Sequence, residues 1–270
     1  MTGVSCPRTF QCSGGLVTFD IGPIPSYVAI ASSSLSCLGS LLILVAYCVL
    51  RDMRTGAQKI ITLLAVADLF SALGYIAGSI NFLVHFDKRD DEECRVFQDL
   101  CDSQAIITSW SSLCSFAWTF ILAFHFVMVI VFKRVLLASK LIPVYNIIAW
   151  GGPLLIVVPL AVLGKLGYAP YAASNWCFVK DDDYSSNLKE DSETILVILL
   201  AGKLWEIITY VSVTIFYIGI AIHISRVSKF HCTPQTIAYF LEKETCKHPL
   251  LLSIQGLVKL ASSSLCFLDL

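Results

Sequence analysis

Two opposite charges lie in a long apolar stretch in the last third of the chain. Lys203 and Glu206 are three residues apart, with Trp205 between them, so they share one face if the stretch is helical. In hydrocarbon the two side chains would neutralise each other as an ion pair, which makes the segment insertable. The alternative interpretation is that one of them reaches across to another helix or to a ligand.

A carboxylate interrupts another apolar stretch. Asp68 follows Ala65-Val66-Ala67, and an ionisable group in hydrocarbon is costly unless it is paired or hydrated. It could be a hydrated ion or switch site between helices. It could equally be a structural carboxylate that accepts hydrogen bonds from hydroxyl groups of the apolar stretch that follows. Four further residues are candidates for hydrogen bonds between helices: Trp118, His125, Asn146 and Trp150.

The sequence has no residue pattern typical of an enzyme. HExxH, Walker A and G-x-S-x-G motifs are absent, and the five histidines are too scattered for a metal site. Apolar residues make up 56% of the chain and charged residues only 14%, which is outside the usual range of soluble domains. We therefore expect no catalytic residues, metal, cofactor or nucleic-acid partner.

Five stretches are apolar and long enough to cross a lipid bilayer as helices, for which roughly 20 residues are needed. They cover residues 27–50, 60–84, 105–132, 141–163 and 194–224. The sequence therefore predicts an all-α, multi-pass membrane protein. We expect a short extracellular segment at 1–26, a five-helix transmembrane region at 27–225 and an atypical tail at 226–270.

The tail contains one further apolar run, which we do not expect to form a sixth span. Residues 249–268 are interrupted by Gln255, Lys259 and three consecutive serines. Such polar residues make insertion unfavourable by several kcal/mol. We expect an amphipathic or disordered segment on the inner face, and a sixth span is the alternative.

The charged residues divide between alternate connections. Acidic residues cluster at 87–99 and 181–193, whereas the other connections carry Arg51, Arg54, Lys59, Lys133, Arg134, Lys140, Arg226 and Lys229. Because connections rich in Lys and Arg stay in the cytoplasm, this pattern favours an amino terminus outside the cell.

Two cysteines stand where a disulfide could fix an outer loop to the bundle. In this orientation Cys101 lies at the mouth of the third span and Cys177 in the loop between the fourth and fifth. Disulfides persist in oxidising compartments, which agrees with an outer location. Two free thiols are the alternative, since connectivity cannot be deduced from sequence. Cys6 and Cys12 are a candidate second pair.

A run in the fourth span combines small residues with a proline. Trp150-Gly151-Gly152-Pro153 would let another helix approach closely at the glycines, and Pro153 would kink the span. This run resembles the W-G-x-P motif in the fourth helix of the secretin, adhesion and cyclic-AMP-receptor-like families of seven-transmembrane G-protein-coupled receptors. Phe132-Lys133-Arg134 stands where rhodopsin-like receptors carry D-R-Y.

Two more stretches, 167–177 and 202–206, resemble an orphan receptor of the same broad group, and the similarity covers roughly residues 27–226. The resemblance implies a receptor-type helix bundle in which Cys101 and Cys177 are the outer staple. It implies a polar network or ligand region formed by Asp68, Trp118, Lys203, Trp205 and Glu206. It implies helix packing at Trp150, Gly151 and Pro153, and a G-protein-facing surface formed by Arg51, Arg54, Lys133 and Arg134.

The function implied is that of an orphan receptor in the plasma membrane or ciliary membrane. Such a receptor passes an extracellular signal to a heterotrimeric G protein, in this case through the phospholipase C and calcium pathway, and could act as a dimer. The family plan requires two more spans after Arg226, so we expect signalling by this chain alone to be impaired. The alternatives are a small membrane transporter or channel, or a non-signalling fragment that pairs with a full-length receptor.

Overall fold

The computed structural model describes residues 24–50, 55–85, 91–167, 177–180 and 195–230. These residues form helices and one short antiparallel hairpin. In chain order the elements are α1 (Ile24–Val49), α2 (Gly56–His85), α3 (Asp91–Ile130), α4 (Val135–Lys140), α5 (Ile142–Val162), β1 (Leu166–Gly167), β2 (Phe178–Val179), a π-helical segment called the π turn (Leu199–Lys203) and α6 (Leu204–Phe230).

Five helical segments among the described residues are long and apolar enough to cross a membrane. They are Ile24–Val49, Gly56–Val84, Asp99–Ile130, Ile142–Val162 and Ile195–Arg226. The prediction of an all-α membrane helix bundle is therefore confirmed, and each of the five predicted spans is present in the described part of the chain. The predicted pair Cys6 and Cys12, and the apolar run at 249–268, lie outside the described residues.

The chain divides into two compact units, Met1–Ile220 and Ala221–Leu270. The first contains α1 to α5, the hairpin, the π turn and most of α6. Of the second, the structure describes only the last part of α6, up to residue 230.

α2 begins four residues before the predicted span because its first turn is capped. The Gln58 backbone N–H donates to Thr55 Oγ1 at 3.3 Å, and the Thr55 N–H donates to Gln58 Oε1 at 2.9 Å. This reciprocal pair is a capping box, which satisfies amide groups that lack partners in the first turn. The apolar pattern alone did not reveal it.

α3 also begins before its predicted span, at Asp91 rather than Ala105. Phe97 and Cys101, one turn apart, are almost fully buried at 1% and 0% exposure. The apolar stretch predicted the part of the helix that can lie in hydrocarbon, but not the polar extension beyond it.

α3 is the central helix of the bundle, packing against α2, α5, both strands and the π turn. Leu122 on this helix is 1% exposed and Cys114 is fully buried. A central position explains why α3 carries more hydroxyl side chains than the other spans, since its polar groups face protein rather than lipid.

α2 and α3 approach each other closely at two glycines of α2. A Cβ atom added at Gly74 would lie 2.5 Å from Thr108 Cγ2, and one added at Gly78 would lie 2.6 Å from Gln104 Cδ. Two glycines four residues apart are a known device for bringing membrane helices together. This small-residue motif is visible in the sequence, but the predicted packing positions did not include it.

Close packing at Gly151 was predicted and is wrong for the described residues. A Cβ atom added at Gly151 or Gly152 would have no heavy atom within 4 Å. α5 instead contacts α3 through Trp150, whose ring centroid is 5.6 Å from that of Trp110. Since Gly151 is one residue beyond Trp150, it is rotated about 100° away from this contact. Pro153 of α5 is buried, as its predicted packing role requires.

Candidate functional site

At one end of the bundle the β1–β2 hairpin is attached to α3 by a disulfide. Cys101 on α3 is bonded to Cys177, which directly precedes β2, so the predicted disulfide is confirmed. Next to it, the Cys177 backbone N–H donates to Oε1 of the buried Gln104 at 3.2 Å. We call this end of the bundle the hairpin end.

An ion pair reinforces this attachment. Lys180 Nζ lies 2.6 Å from Asp102 Oδ2, with the two side chains 28% and 37% exposed. Gly167 on β1 has a φ of 150°, which favours glycine, and a Cβ atom there would collide with Asp102 Oδ1 and Lys180 Cε. The Asp102–Lys180 ion pair therefore needs a glycine at position 167, and the sequence predicted none of these three residues. The available signal was an acidic residue beside Cys101 and a basic residue three positions after Cys177.

A line of polar contacts runs between α2 and α3. Ser115 Oγ donates to Asp68 Oδ1 at 2.5 Å, and Ser71 Oγ donates to Ser111 Oγ at 2.9 Å. One turn further towards the hairpin end, the Tyr75 and Ser112 side chains form a hydrogen bond. We call these six residues the polar seam. Of the two interpretations open for Asp68, the structure contains the hydrogen bond to a hydroxyl of the third span.

The predicted ion pair in the fifth span is present. Lys203 Nζ lies 3.1 Å from Glu206 Oε2, and the side-chain exposures are 51% for Lys203 and 15% for Glu206. Glu206 also interacts electrostatically with Tyr75, the member of the polar seam nearest the hairpin end. Lys203 and Glu206 therefore lie near Tyr75, whereas Asp68 lies seven residues, about two helical turns, nearer the amino terminus of α2 than Tyr75.

Trp205 lies beside this pair but is bonded within its own helix. Its indole Nε1 donates to the Leu200 carbonyl oxygen, five residues earlier, at 3.1 Å. Its side chain remains partly exposed. The interaction closes the π turn and keeps the ring next to Lys203 and Glu206.

Trp118 does not belong to the polar network to which it was assigned. It is fully buried, its ring centroid is 6.2 Å from that of Trp150, and its Nε1 has no hydrogen-bond partner among the described residues. The hydrogen bond between α3 and α5 comes instead from Trp110 Nε1, which donates to the Trp150 carbonyl oxygen at 3.3 Å. The sequence marked the right pair of helices but the wrong tryptophan of α3.

The opposite end of the bundle, which we call the α4 end, carries exposed basic residues. Lys133 lies in the turn between α3 and α4 with a φ of 54°, an uncommon conformation for a residue other than glycine. Arg134 follows it, and both side chains are exposed. Arg51 and Arg54, which the sequence assigns to the same surface, lie outside the described residues.

Nothing in the described part of the chain gathers three His, Cys, Asp or Glu side chains in an arrangement that could hold a metal ion. The buried thiol of Cys114 and the buried imidazole of His125 are therefore not parts of such a cluster. The chemistry that the site offers is hydrogen bonding and charge pairing along the seam.

Comparisons with known proteins identify the family of the chain. The family model described as slime mold cyclic AMP receptor matches residues 23–189. G-protein coupled receptor 157 of Mus musculus is 31% identical over 207 residues, which cover 74% of this chain and 55% of the relative. The Homo sapiens protein of the same name is 29% identical over 209 residues, covering 77% and 57%.

A third relative is itself named after the cyclic AMP receptors. Cyclic AMP receptor-like protein A of Dictyostelium discoideum is 26% identical over 150 residues, covering 56% of this chain and 35% of the relative. The chain spans about half the length of the receptor 157 relatives that it matches. Because the family model covers more than half of the chain, the chain belongs to the slime mold cyclic AMP receptor family, as a receptor similar to G-protein coupled receptor 157.

Proposed function

We propose that this chain carries the ligand region and the G-protein contact surface of a receptor that passes an extracellular signal to a heterotrimeric G protein, and that this chain signals poorly by itself. The observation that carries the proposal is the polar seam between α2 and α3, which runs from Tyr75, near Glu206, to Asp68 in a member of a receptor family. Such a seam can link events at the hairpin end to the rest of the bundle. The names of the relatives, which include G-protein coupled receptor 157, support coupling to a G protein.

The ligand region in this proposal lies at the hairpin end and consists of Lys203, Trp205 and Glu206. Lys203 is half exposed, so its ammonium group can be reached by a ligand, while Glu206 is mostly buried and interacts electrostatically with Tyr75 of the seam. A ligand that pairs with either charge would loosen the Lys203–Glu206 contact. The interaction of Glu206 with Tyr75 would then change, and Tyr75 could alter its hydrogen bond to Ser112 in the seam.

Asp68 is the proposed switch within the seam. Its carboxylate accepts a short hydrogen bond from Ser115, so it ties the middle of α2 to the middle of α3. Receptor activation requires two global states between which a ligand discriminates. In this proposal the hydrogen bond between Ser115 and Asp68 is present in one state of the α2–α3 interface and broken in the other.

The α4 end is the proposed G-protein surface, with Lys133 and Arg134 as contact residues. Both are exposed, and Lys133 is held in a defined turn between two helices. This assignment places the hairpin end and the amino terminus outside the cell. The membrane would be the plasma membrane or its ciliary extension, and the pathway that of phospholipase C and calcium.

The proposal can be tested by proximity of the chain to G-protein α subunits in cells. The full chain, carrying a luciferase donor, is expressed with a panel of fluorescent α subunits, and energy transfer is recorded before and after adding GTPγS to permeabilised cells. We expect one class of α subunit to give a signal that GTPγS reduces. K133Q/R134Q should weaken it, whereas the matched control K88Q/R89Q, in a predicted outer connection, should not.

A signal that is unaffected by GTPγS for every α subunit would contradict the proposal. Equal signals from K133Q/R134Q and K88Q/R89Q would contradict the assignment of the contact surface. A transporter or channel, the alternative class, would instead produce solute or proton flux in proteoliposomes containing the chain.

A further inference from the structure

The fifth span is not a continuous α-helix. The Leu204 backbone N–H donates to the Leu199 carbonyl oxygen, five residues earlier, and Leu199–Lys203 forms a π turn. An α-helix pairs each N–H with the carbonyl four residues earlier, so this bond adds one residue to the turn. Such single π turns are rare and occur frequently at functional sites.

The extra residue of the π turn brings the buried positions before and after it onto the same face of the span. Ala201 and Thr209 are both buried, at 1% and 7% exposure, although they are eight residues apart. In an uninterrupted α-helix, two positions eight residues apart differ by about 80° in their direction around the helix axis. If one residue is absorbed in the π turn, the difference falls to about 20°, and both positions face the bundle.

Two side chains contact the π turn. The Trp205 indole donates to the Leu200 carbonyl oxygen at 3.1 Å, which supplies a donor where the hydrogen-bond pattern of the helix changes by one residue. Phe178 of β2 also packs on the turn, because a Cβ atom added at Gly202 would lie 3.4 Å from Phe178 Cζ. Phe178 is itself fixed relative to α3, since it follows Cys177 directly and precedes Lys180 by two residues.

We infer that Trp205 and Phe178 are positioning residues, which hold a one-residue π turn in place so that Lys203 and Glu206 are presented together at the hairpin end. The hairpin, attached to α3 by the disulfide and by the Asp102–Lys180 ion pair, thereby sets the conformation of the fifth span through Phe178. The inference rests on the proposed function only for the role of Lys203 and Glu206 in ligand binding.

The first test removes the indole donor and keeps an aromatic ring. Purified full chain in lipid nanodiscs is compared with W205F by hydrogen exchange and mass spectrometry. We expect amides of residues 199–206 to exchange about fivefold faster in W205F, the effect of losing one hydrogen bond, while those of 210–220 keep their rates. The matched control W110F, which loses its own indole bond to Trp150, should leave residues 199–206 unchanged.

A second readout separates positioning from general stability. The coupling between Lys203 and Glu206 is measured by thermal unfolding of K203Q, E206Q and the double variant, in the wild-type, W205F and W110F backgrounds. We expect the coupling to persist in W110F and to fall at least threefold in W205F. Exchange and coupling that are the same in W205F as in W110F would overturn the role of Trp205.

Two deletions test the π turn even if W205F fails to fold. Deleting Gly202, which lies between Ala201 and Thr209, should convert the turn to ordinary α-helix and leave these two positions seven residues apart on one face, so the chain should fold and form the Cys101–Cys177 disulfide. Deleting Ile215, an exposed residue of α6 beyond Thr209, should rotate the buried Ile220 about 100° away from Ala201 and Thr209 and prevent folding. Equal tolerance of the two deletions, or the reverse order, would overturn the inference.

These measurements use neither a ligand nor a G protein. A chain that fails to associate with any α subunit could therefore still show the predicted exchange, coupling and deletion results. Conversely, a normal signal from G-protein association would not rescue the inference if W205F behaved like W110F.

Discussion

Lys203 and Glu206 differ in what each can do when its partner is removed. A lysine side chain is long and can extend along apolar surface towards water, whereas a glutamate is shorter and Glu206 is mostly buried. We therefore expect K203Q, which strands the carboxylate, to destabilise the chain by about 1–3 kcal/mol. E206Q should cost less, and K203Q/E206Q should be closer to wild type than K203Q is.

Thermal unfolding of the three variants in one detergent measures this asymmetry. A larger loss of stability in E206Q than in K203Q would contradict the assignment of Glu206 as the buried partner. Additive losses in the double variant would show that the two charges do not interact.

At the residue scale, contacts within one helix could be predicted from the spacing of residues. Contacts between helices could not, because the sequence does not state in which direction each side chain points. The Lys203–Glu206 pair follows from two positions three residues apart on one helix. The Asp102–Lys180 pair joins positions 78 residues apart, so it could be predicted only from the position of each residue beside a cysteine of the disulfide. Trp118 was misassigned because the sequence does not state which face of α3 meets polar neighbours.

The α2–α3 interface depends on two glycines, whereas α5 carries two glycines without a neighbouring atom among the described residues. Since a Cβ atom at Gly78 would collide with Gln104, we expect G78A to destabilise the chain by about 1–3 kcal/mol. A Cβ atom at Gly152 has open space in a helix, so G152A should be neutral or stabilise by about 0.5–1 kcal/mol.

Unfolding of G78A and G152A in the same detergent checks this contrast between two glycine-to-alanine changes. If G78A were as stable as G152A, α2 and α3 could not be as close as described. If G152A were the more damaging change, the glycines of α5 would have a packing partner after all.

The hairpin is held to α3 by one covalent bond over a long loop. Cys101 and Cys177 are 76 residues apart, and removal of a disulfide of this kind typically costs about 2–4 kcal/mol. We expect C101S/C177S to lose this stability and to become insensitive to reductant. C37S/C48S, which changes two free cysteines, should unfold as wild type does. Equal unfolding temperatures of the two double variants would contradict the structural role of the disulfide.

At the element scale, the sequence predicted the existence of the five spans better than their ends. Apolar length located each helix, because a membrane span needs a long run of such residues. The early start of α2 depends on the capping box at Thr55 and Gln58, which apolarity does not report. The π turn could not be predicted from the usual 3.6-residue period, since it interrupts that period.

At the scale of the whole molecule, a receptor-type bundle could be predicted because composition, span length and a few motif residues agree on it. The family match confirms that prediction. The docking of the hairpin onto both α3 and the π turn could not be predicted, since it depends on contacts between segments distant in sequence. These contacts join the fifth span, which carries the proposed ligand region, to α3.

The central claim is that the hairpin end faces the outside of the cell and the α4 end faces the cytoplasm. It can be tested by placing glycosylation acceptors in the two connections. K189T creates an N-x-T acceptor at Asn187, in the connection before the fifth span. An insertion carrying an acceptor between Arg134 and Val135 probes the α4 end.

The most direct measurement is the mobility shift of these two variants, expressed in cells, before and after enzymatic deglycosylation. We expect K189T to be glycosylated and the insertion after Arg134 to remain unmodified. Glycosylation of the insertion but not of K189T would place the α4 end outside, where it could not meet a G protein, and would contradict the proposed function.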